Sequence, residues 1–166
     1  TLRRAWHDVA AIIVEPILGN CAAIEPLPGW LEFIRAKCNE YGIVLIFDEV
    51  KTGFRLARGG AQEVYGVIPD LATYAKSLGN GYAVAAFGGR REVMNVVGVG
   101  VVCGGTYAGN TVGVAAADAT LEILQDRTIF ETGFRRASSA SLPMLAFLCS
   151  LPATRICSPS TSASKS

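Results

Sequence analysis

An acid, an amine and a hydroxyl each follow an apolar run in this 166-residue chain. Asp48 comes just after Ile43 to Phe47, Lys76 just after Leu71 to Ala75, and Gly104-Gly105-Thr106 just after Val99 to Cys103. If those runs are strands of an open α/β sheet, all three lie beyond carboxyl ends, where such sheets bind ligands. A carboxylate there can pair with a protonated ring nitrogen and keep a cofactor ring electron-poor. A lysine can hold an aldehyde as a Schiff base and, once displaced, move a proton between carbons. Burial or a neighbouring cation lowers an amine's basicity and makes it a nucleophile near neutral pH. A hydroxyl and backbone N–H groups in a glycine-rich loop can bind phosphate. Each residue also has a plain reading: an Asp after a strand caps or turns, a lysine there is solvated, and Gly-Gly-Thr turns the chain. Residue types and spacing alone leave an α/β enzyme whose cofactor is unknown.

The elements that must hold these residues are legible as periodicities. Val9 to Val14 is a continuous apolar run closed by Glu15-Pro16, the pattern of a strand buried on both faces of a parallel sheet. Trp30 to Tyr41 carries Leu31, Ile34, Cys38 and Tyr41 at helical spacing, and Gly42 suits the left-handed stop. Ile43 to Phe47 is the next strand, which completes a βαβ unit and makes the pair parallel. Leu71 to Ala75 is a third strand, Ala83 to Phe87 a fourth and Val99 to Cys103 a weaker fifth. Asn110 or Thr111 caps a helix running to about Gln125, with Val114, Ala117, Leu121 and Leu124 on one face. The fold class is α/β, with a mixed, mostly parallel sheet flanked by helices.

Composition narrows the function classes. About half the residues are apolar and the net charge is +1, which argues against a nucleic-acid binder. The apolar runs end at charges well short of a membrane span. Cys21, Cys38, Cys103, Cys149 and Cys157 form no CxxC pair, the pattern of reduced thiols in a cytoplasmic protein. With His7 the single histidine, no metal site is expected. Nine of the ten serines fall between Ser138 and Ser166, and no acid follows Glu131. That shift divides the chain into a body, 1–131, and a Ser-rich tail, 132–166, expected to be disordered or aberrant, as after a change of reading frame.

Four segments together resemble one family. Ile46-Phe47-Asp48-Glu49-Val50-Lys51-Thr52-Gly53-Phe54-Arg55 is similar to the Asp-Glu motif of class III aminotransferases, which depend on pyridoxal 5′-phosphate (PLP). Pro69-Asp70-Leu71-Ala72-Thr73-Tyr74-Ala75-Lys76-Ser77-Leu78-Gly79-Asn80-Gly81-Tyr82 resembles that family's cofactor-lysine segment. Glu15-Pro16-Ile17-Leu18-Gly19-Asn20 resembles its Glu-Pro segment, and Gly105-Thr106-Tyr107-Ala108-Gly109-Asn110 its phosphate loop. The order matches across residues 9 to 125, and the nearest branch is that of glutamate-1-semialdehyde aminomutase and its aminotransferase relatives.

The resemblance implies part of the large domain of a fold-type-I PLP enzyme, like that of aspartate aminotransferase. It implies that Asp48 holds the pyridine nitrogen, that Lys76 carries the Schiff base and that Val50 packs on the ring. Thr106 would reach the phosphate of the neighbouring subunit's cofactor in a homodimer. Glu49 would shape the turn rather than touch the cofactor. Lys51 stands where some relatives have a glutamine near the ring hydroxyl, and Thr111 where a proline is common. The expected activity is transamination between an amine or amino acid donor and a keto acid or aldehyde acceptor, with no substrate legible. Family members are much longer and this chain starts at Thr1, so it reads as a fragment, weakly active or inactive by itself. The alternatives are a non-catalytic remnant, an aminomutase, or a nucleotide-binding α/β protein. The last lacks GxxxxGK[ST], and its GxGxxG at Gly79 to Val84 is incomplete.

Overall fold

The computed structural model describes residues 6–131. Its centre is a four-stranded sheet in the order β1 (Ala11–Val14), β2 (Val44–Asp48), β3 (Leu71–Tyr74), β4 (Ala86–Gly89). The first three strands run parallel and β4 pairs antiparallel with β3. The helices are α1 (Trp30–Tyr41), the short α2 (Ala61–Tyr65) and α3 (Arg91–Met94), and α4 (Thr111–Ile123).

Helix α1 forms where its three-and-four spacing predicts, because that spacing gathers Leu31, Ile34 and Cys38 on one buried face. Gly42 ends it at φ 68°, and its N–H donates to the Cys38 carbonyl. The buried face packs on Ile43, Leu45, Phe47, Val67 and Ala72, which form the core with it. Phe47 is wholly enclosed there, and truncating such a side chain to alanine costs about 3–5 kcal/mol.

Only one face of the sheet is covered among the described residues, which corrects the expectation of strands buried on both. Along β2, Leu45 and Phe47 are buried while Val44, Ile46 and Asp48 on the opposite face are half-buried. Ile13, paired with Ile46, is 61% exposed. The α/β pattern is present, but its second layer is not supplied here. That open face also carries Asp48.

Three further expectations are corrected. The fourth strand lies at Ala86–Gly89 rather than Ala83–Phe87. Gly89 lets it close on β3, since a Cβ there would strike the Asp70 carbonyl oxygen. Val99 to Cys103 is no strand: Val97 and Val101 make one isolated bridge, and the segment is exposed. Helix α4 buries Gly113 and Thr120, and the expected Leu124 is buried at its C-cap, whereas Val114 and Leu121 are exposed. Asn110 caps it as expected, its Oδ1 accepting from the Gly113 N–H at 2.7 Å. The tail, 132–166, lies outside the described residues.

Candidate functional site

Parallel pairing of β2 with β3 brings the two chains of the motif to one edge. Asp48, the last residue of β2, is in register with Thr73, and Lys76 follows three residues later. Asp48 and Lys76 therefore leave the carboxyl ends of neighbouring strands, the position where an α/β sheet binds ligands. The Asp48 Oδ1 accepts the Val50 N–H at 3.0 Å and lies 3.5 Å from the Thr73 hydroxyl. Its Oδ2 receives no hydrogen bond from the described residues, so one oxygen is held and the other remains for a donor. This is the disposition a carboxylate needs to meet a ring N–H.

Lys76 opens a short 3₁₀ turn, Lys76 to Leu78, from an extended Ala75. Its backbone is left-handed at φ 45°, and so is Asn80 at φ 44°. Left-handed backbone costs a non-glycine residue about 1–2 kcal/mol, and such strain concentrates at sites where geometry is functional. Lys76 is exposed, and Arg55 lines the same pocket. That pocket, about 480 Å³, is also lined by Ser77, Asn80 and Tyr82. The Ser77 hydroxyl is buried without a hydrogen-bond partner among the described residues.

The turn after Asp48 is built by its neighbour. Glu49 is 0% exposed, and its carboxylate accepts from the Thr52 hydroxyl at 2.5 Å and from the N–H groups of Ala61 and Gln62 at 2.8 and 2.9 Å. It thus caps α2, where a negative charge is favoured, and is unable to reach a cofactor at the same time. Gly53 and Phe54 then pack on Tyr74, with the Phe54 and Tyr74 rings 5.1 Å apart. Tyr74 also accepts from the Gln62 side chain at 2.8 Å. Burial is the largest influence on the Tyr74 phenol and pushes its pKa above the ordinary value.

The Glu-Pro segment approaches the same edge. Glu15 accepts the Gly19 N–H at 3.1 Å. Lys51 donates to the Asn20 side chain, and its stem lies so close to Gly19 that a Cβ there would strike it. Lys51 therefore ties the loop after β1 to the loop after β2.

Thr106 is not brought to this edge. It sits exposed in the segment before α4, at the end of no strand, and no hydrogen bond joins it to Asp48 or Lys76. That segment is anchored where Asn110 Nδ2 donates to the Ala83 carbonyl at 3.1 Å, and α4 packs near the Lys76 turn. Among the described residues no cluster of His, Cys, Asp or Glu could hold a metal ion, and no helix is long and apolar enough to cross a membrane.

Sequence reasoning gave Asp70 no role. It is 4% exposed and accepts from the Leu45 N–H at 2.8 Å, Arg35 at 2.8 Å and Arg90 at 2.7 Å. It joins α1, β2 and the end of β4 just before β3 runs to Lys76. Burial raises its pKa, but the Leu45 N–H and the two guanidiniums outweigh it and hold the carboxyl below the ordinary value. Its partners lie 20 to 35 residues away in sequence, so no local pattern marks it.

The family model of class-III aminotransferases matches residues 1–142. The chain belongs to this family. Among its class-III relatives is a glutamate-1-semialdehyde 2,1-aminomutase of Pelotomaculum thermopropionicum, 51% identical over 126 residues. The match takes 75% of this chain but 29% of the relative, so the chain spans under a third of that protein's length. Among solved structures, a transaminase with PLP bound superposes with a TM-score of 0.75 at 27% identity, over 84% of this chain and 35% of the other. An omega-transaminase from Sphaerobacter thermophilus gives 0.69 at 34% identity, over 74% and 29%. The fold is thus that of the PLP transaminases, represented by a four-stranded, mostly parallel part of the domain.

Proposed function

We propose that this chain is the portion of a PLP-dependent transaminase that binds the cofactor's ring nitrogen and aldehyde. The observation that carries the reading is the pair Asp48 and Lys76 at the carboxyl ends of adjacent parallel strands. Bound PLP supplies an electron sink for charge developing on the substrate carbon that bears nitrogen. The Val50 N–H fixes Asp48 Oδ1, so the carboxylate is already oriented and Oδ2 would accept the ring N–H. Val50 would pack on the ring face. Lys76 Nζ would hold the cofactor's aldehyde carbon and, as a free amine, would be the group placed to move a proton between carbons.

Thr106 is assigned to the phosphate of the cofactor in a second subunit of a homodimer. Its exposure away from Asp48 and Lys76 supports a partner across an interface, as do the exposed Val99, Val102, Tyr107 and Val112 nearby. The substrates are an amine or amino acid donor and a keto acid or aldehyde acceptor, and the location is cytoplasmic. A second reading, the intramolecular aminomutase, is favoured by the name of the 51%-identical relative.

The test is a spectroscopic titration of the chain with PLP. Wild-type chain should shift the cofactor's absorption at stoichiometric PLP, and Lys76→Ala should abolish the shift. An unchanged shift in Lys76→Ala would remove the lysine from its role. If PLP binds, transfer from an external amine to an external keto acceptor separates transaminase from aminomutase.

A further inference from the structure

We propose that Arg55 and Ser77 form an oxyanion subsite beside Lys76, built to take a carboxylate or phosphate. The turn set by Glu49 folds back, and Phe54 packs on the Tyr74 ring, two residues before Lys76. That contact carries Arg55 into the pocket that Lys76, Ser77, Asn80 and Tyr82 line. Among the described residues, two cations and no acid line this pocket. A guanidinium is charged at every working pH and grips carboxylate or phosphate through a planar fork.

Ser77 supplies the independent observation. The residue is 6% exposed, it lines the pocket, and its Oγ has no hydrogen-bond partner. A buried hydroxyl without a partner costs about 1–3 kcal/mol, and a bound oxyanion offers an acceptor. The left-handed backbone at Lys76 and Asn80 brackets the turn that presents this hydroxyl. The subsite needs no cofactor. Assigning it to a substrate's carboxylate rests on the transaminase reading, and the substrate class is then a carboxylate-bearing amine or carbonyl compound.

The experiment is competitive acylation of lysines in the whole chain, followed residue by residue with peptide mass spectrometry. Succinate and inorganic phosphate are the probes, at matched ionic strength. For a dissociation constant of about 1 mM, anion at ~10 mM slows Lys76 labelling about tenfold. Lys37 and Lys51 should be unaffected. Arg55→Gln should abolish the protection, Arg55→Lys should keep part of it, and Ser77→Ala should weaken it with little change in side-chain volume. Stronger protection by succinate identifies a substrate carboxylate; stronger protection by phosphate identifies a phosphate group. No protection, equal protection of all three lysines, or protection that survives both Arg55→Gln and Ser77→Ala overturns the subsite. Because PLP is absent, failure here leaves the cofactor titration untouched, and a failed titration leaves this result standing.

Discussion

Replacing Asp70 with alanine should destabilise the fold far more than removing either of its salt-bridge partners alone. The buried Leu45 N–H would lose its acceptor, which costs about 1–3 kcal/mol. Arg35, whose side chain is 17% exposed, would be left as a largely buried unpaired charge. Breaking a buried pair from one side costs roughly 3–5 kcal/mol, and because the bonds share one carboxylate the terms overlap, giving about 4 kcal/mol in all. Arg90 is 57% exposed, so its removal opens Asp70 Oδ1 to water while Arg35 and the Leu45 N–H still hold Oδ2, and Arg90→Ala should cost no more than about 1 kcal/mol. Urea titrations followed by Trp6 and Trp30 fluorescence would measure both, run in sucrose to keep folded baselines. At a slope of about 2 kcal/mol per molar urea, Asp70→Ala lowers the midpoint by about 2 M and Arg90→Ala by at most about 0.5 M. Equal shifts in the two variants, or an Asp70→Ala midpoint matching wild type, would refute the reasoning.

Three other outcomes follow from the same contacts. The Asp70 carboxyl is held below its unfolded pKa, so its stabilisation is complete above about pH 4 and lost as pH falls through the folded value; in Asp70→Asn that acid-limb slope should flatten. The neighbouring acids Asp48 and Glu49 should separate: Glu49→Gln loses charge-assisted bonds to α2 and costs at least about 2 kcal/mol, whereas Asp48→Asn keeps an acceptor for Val50 and costs about 1 kcal/mol or less, with PLP binding lost. Equal destabilisation in thermal melts would contradict this. Gly89→Ala drives a Cβ into the backbone of Asp70 and Leu71 and should cost about 1–3 kcal/mol, read as faster hydrogen exchange at the β3–β4 pairing.

The legible parts of the fold were those fixed within a dozen residues. Leu31, Ile34 and Cys38 place α1, Gly42 ends it, and Asn110 caps α4, because each device acts through a neighbouring turn. Asp48 and Lys76 were singled out by residue type, spacing and resemblance, and parallel pairing of β2 with β3 brings both to the carboxyl ends of neighbouring strands. What escaped depends on distant partners. β4 ends in Gly88 and Gly89, poor strand formers, and exists because Gly89 fits against Asp70. Val99 to Cys103 has strand-like residues but, among the described residues, pairs only through the single Val97–Val101 bridge, and it stays exposed. Apolar residues lie all round α4, so the face read from Val114 and Leu121 was the wrong one: Gly113 is buried because the Ala83 carbonyl lies against it. Arg55 reached the Lys76 pocket through the Phe54–Tyr74 contact, which no local spacing encodes.

The most direct test of the Asp48–Lys76 site is to add PLP to the chain, reduce with borohydride and map pyridoxyl-lysine by peptide mass spectrometry. The account predicts label concentrated on Lys76 and lost in Asp48→Ala, with Lys37 and Lys51 essentially clear. Label scattered over the exposed lysines, or Lys76 label unaffected by Asp48→Ala, would contradict it.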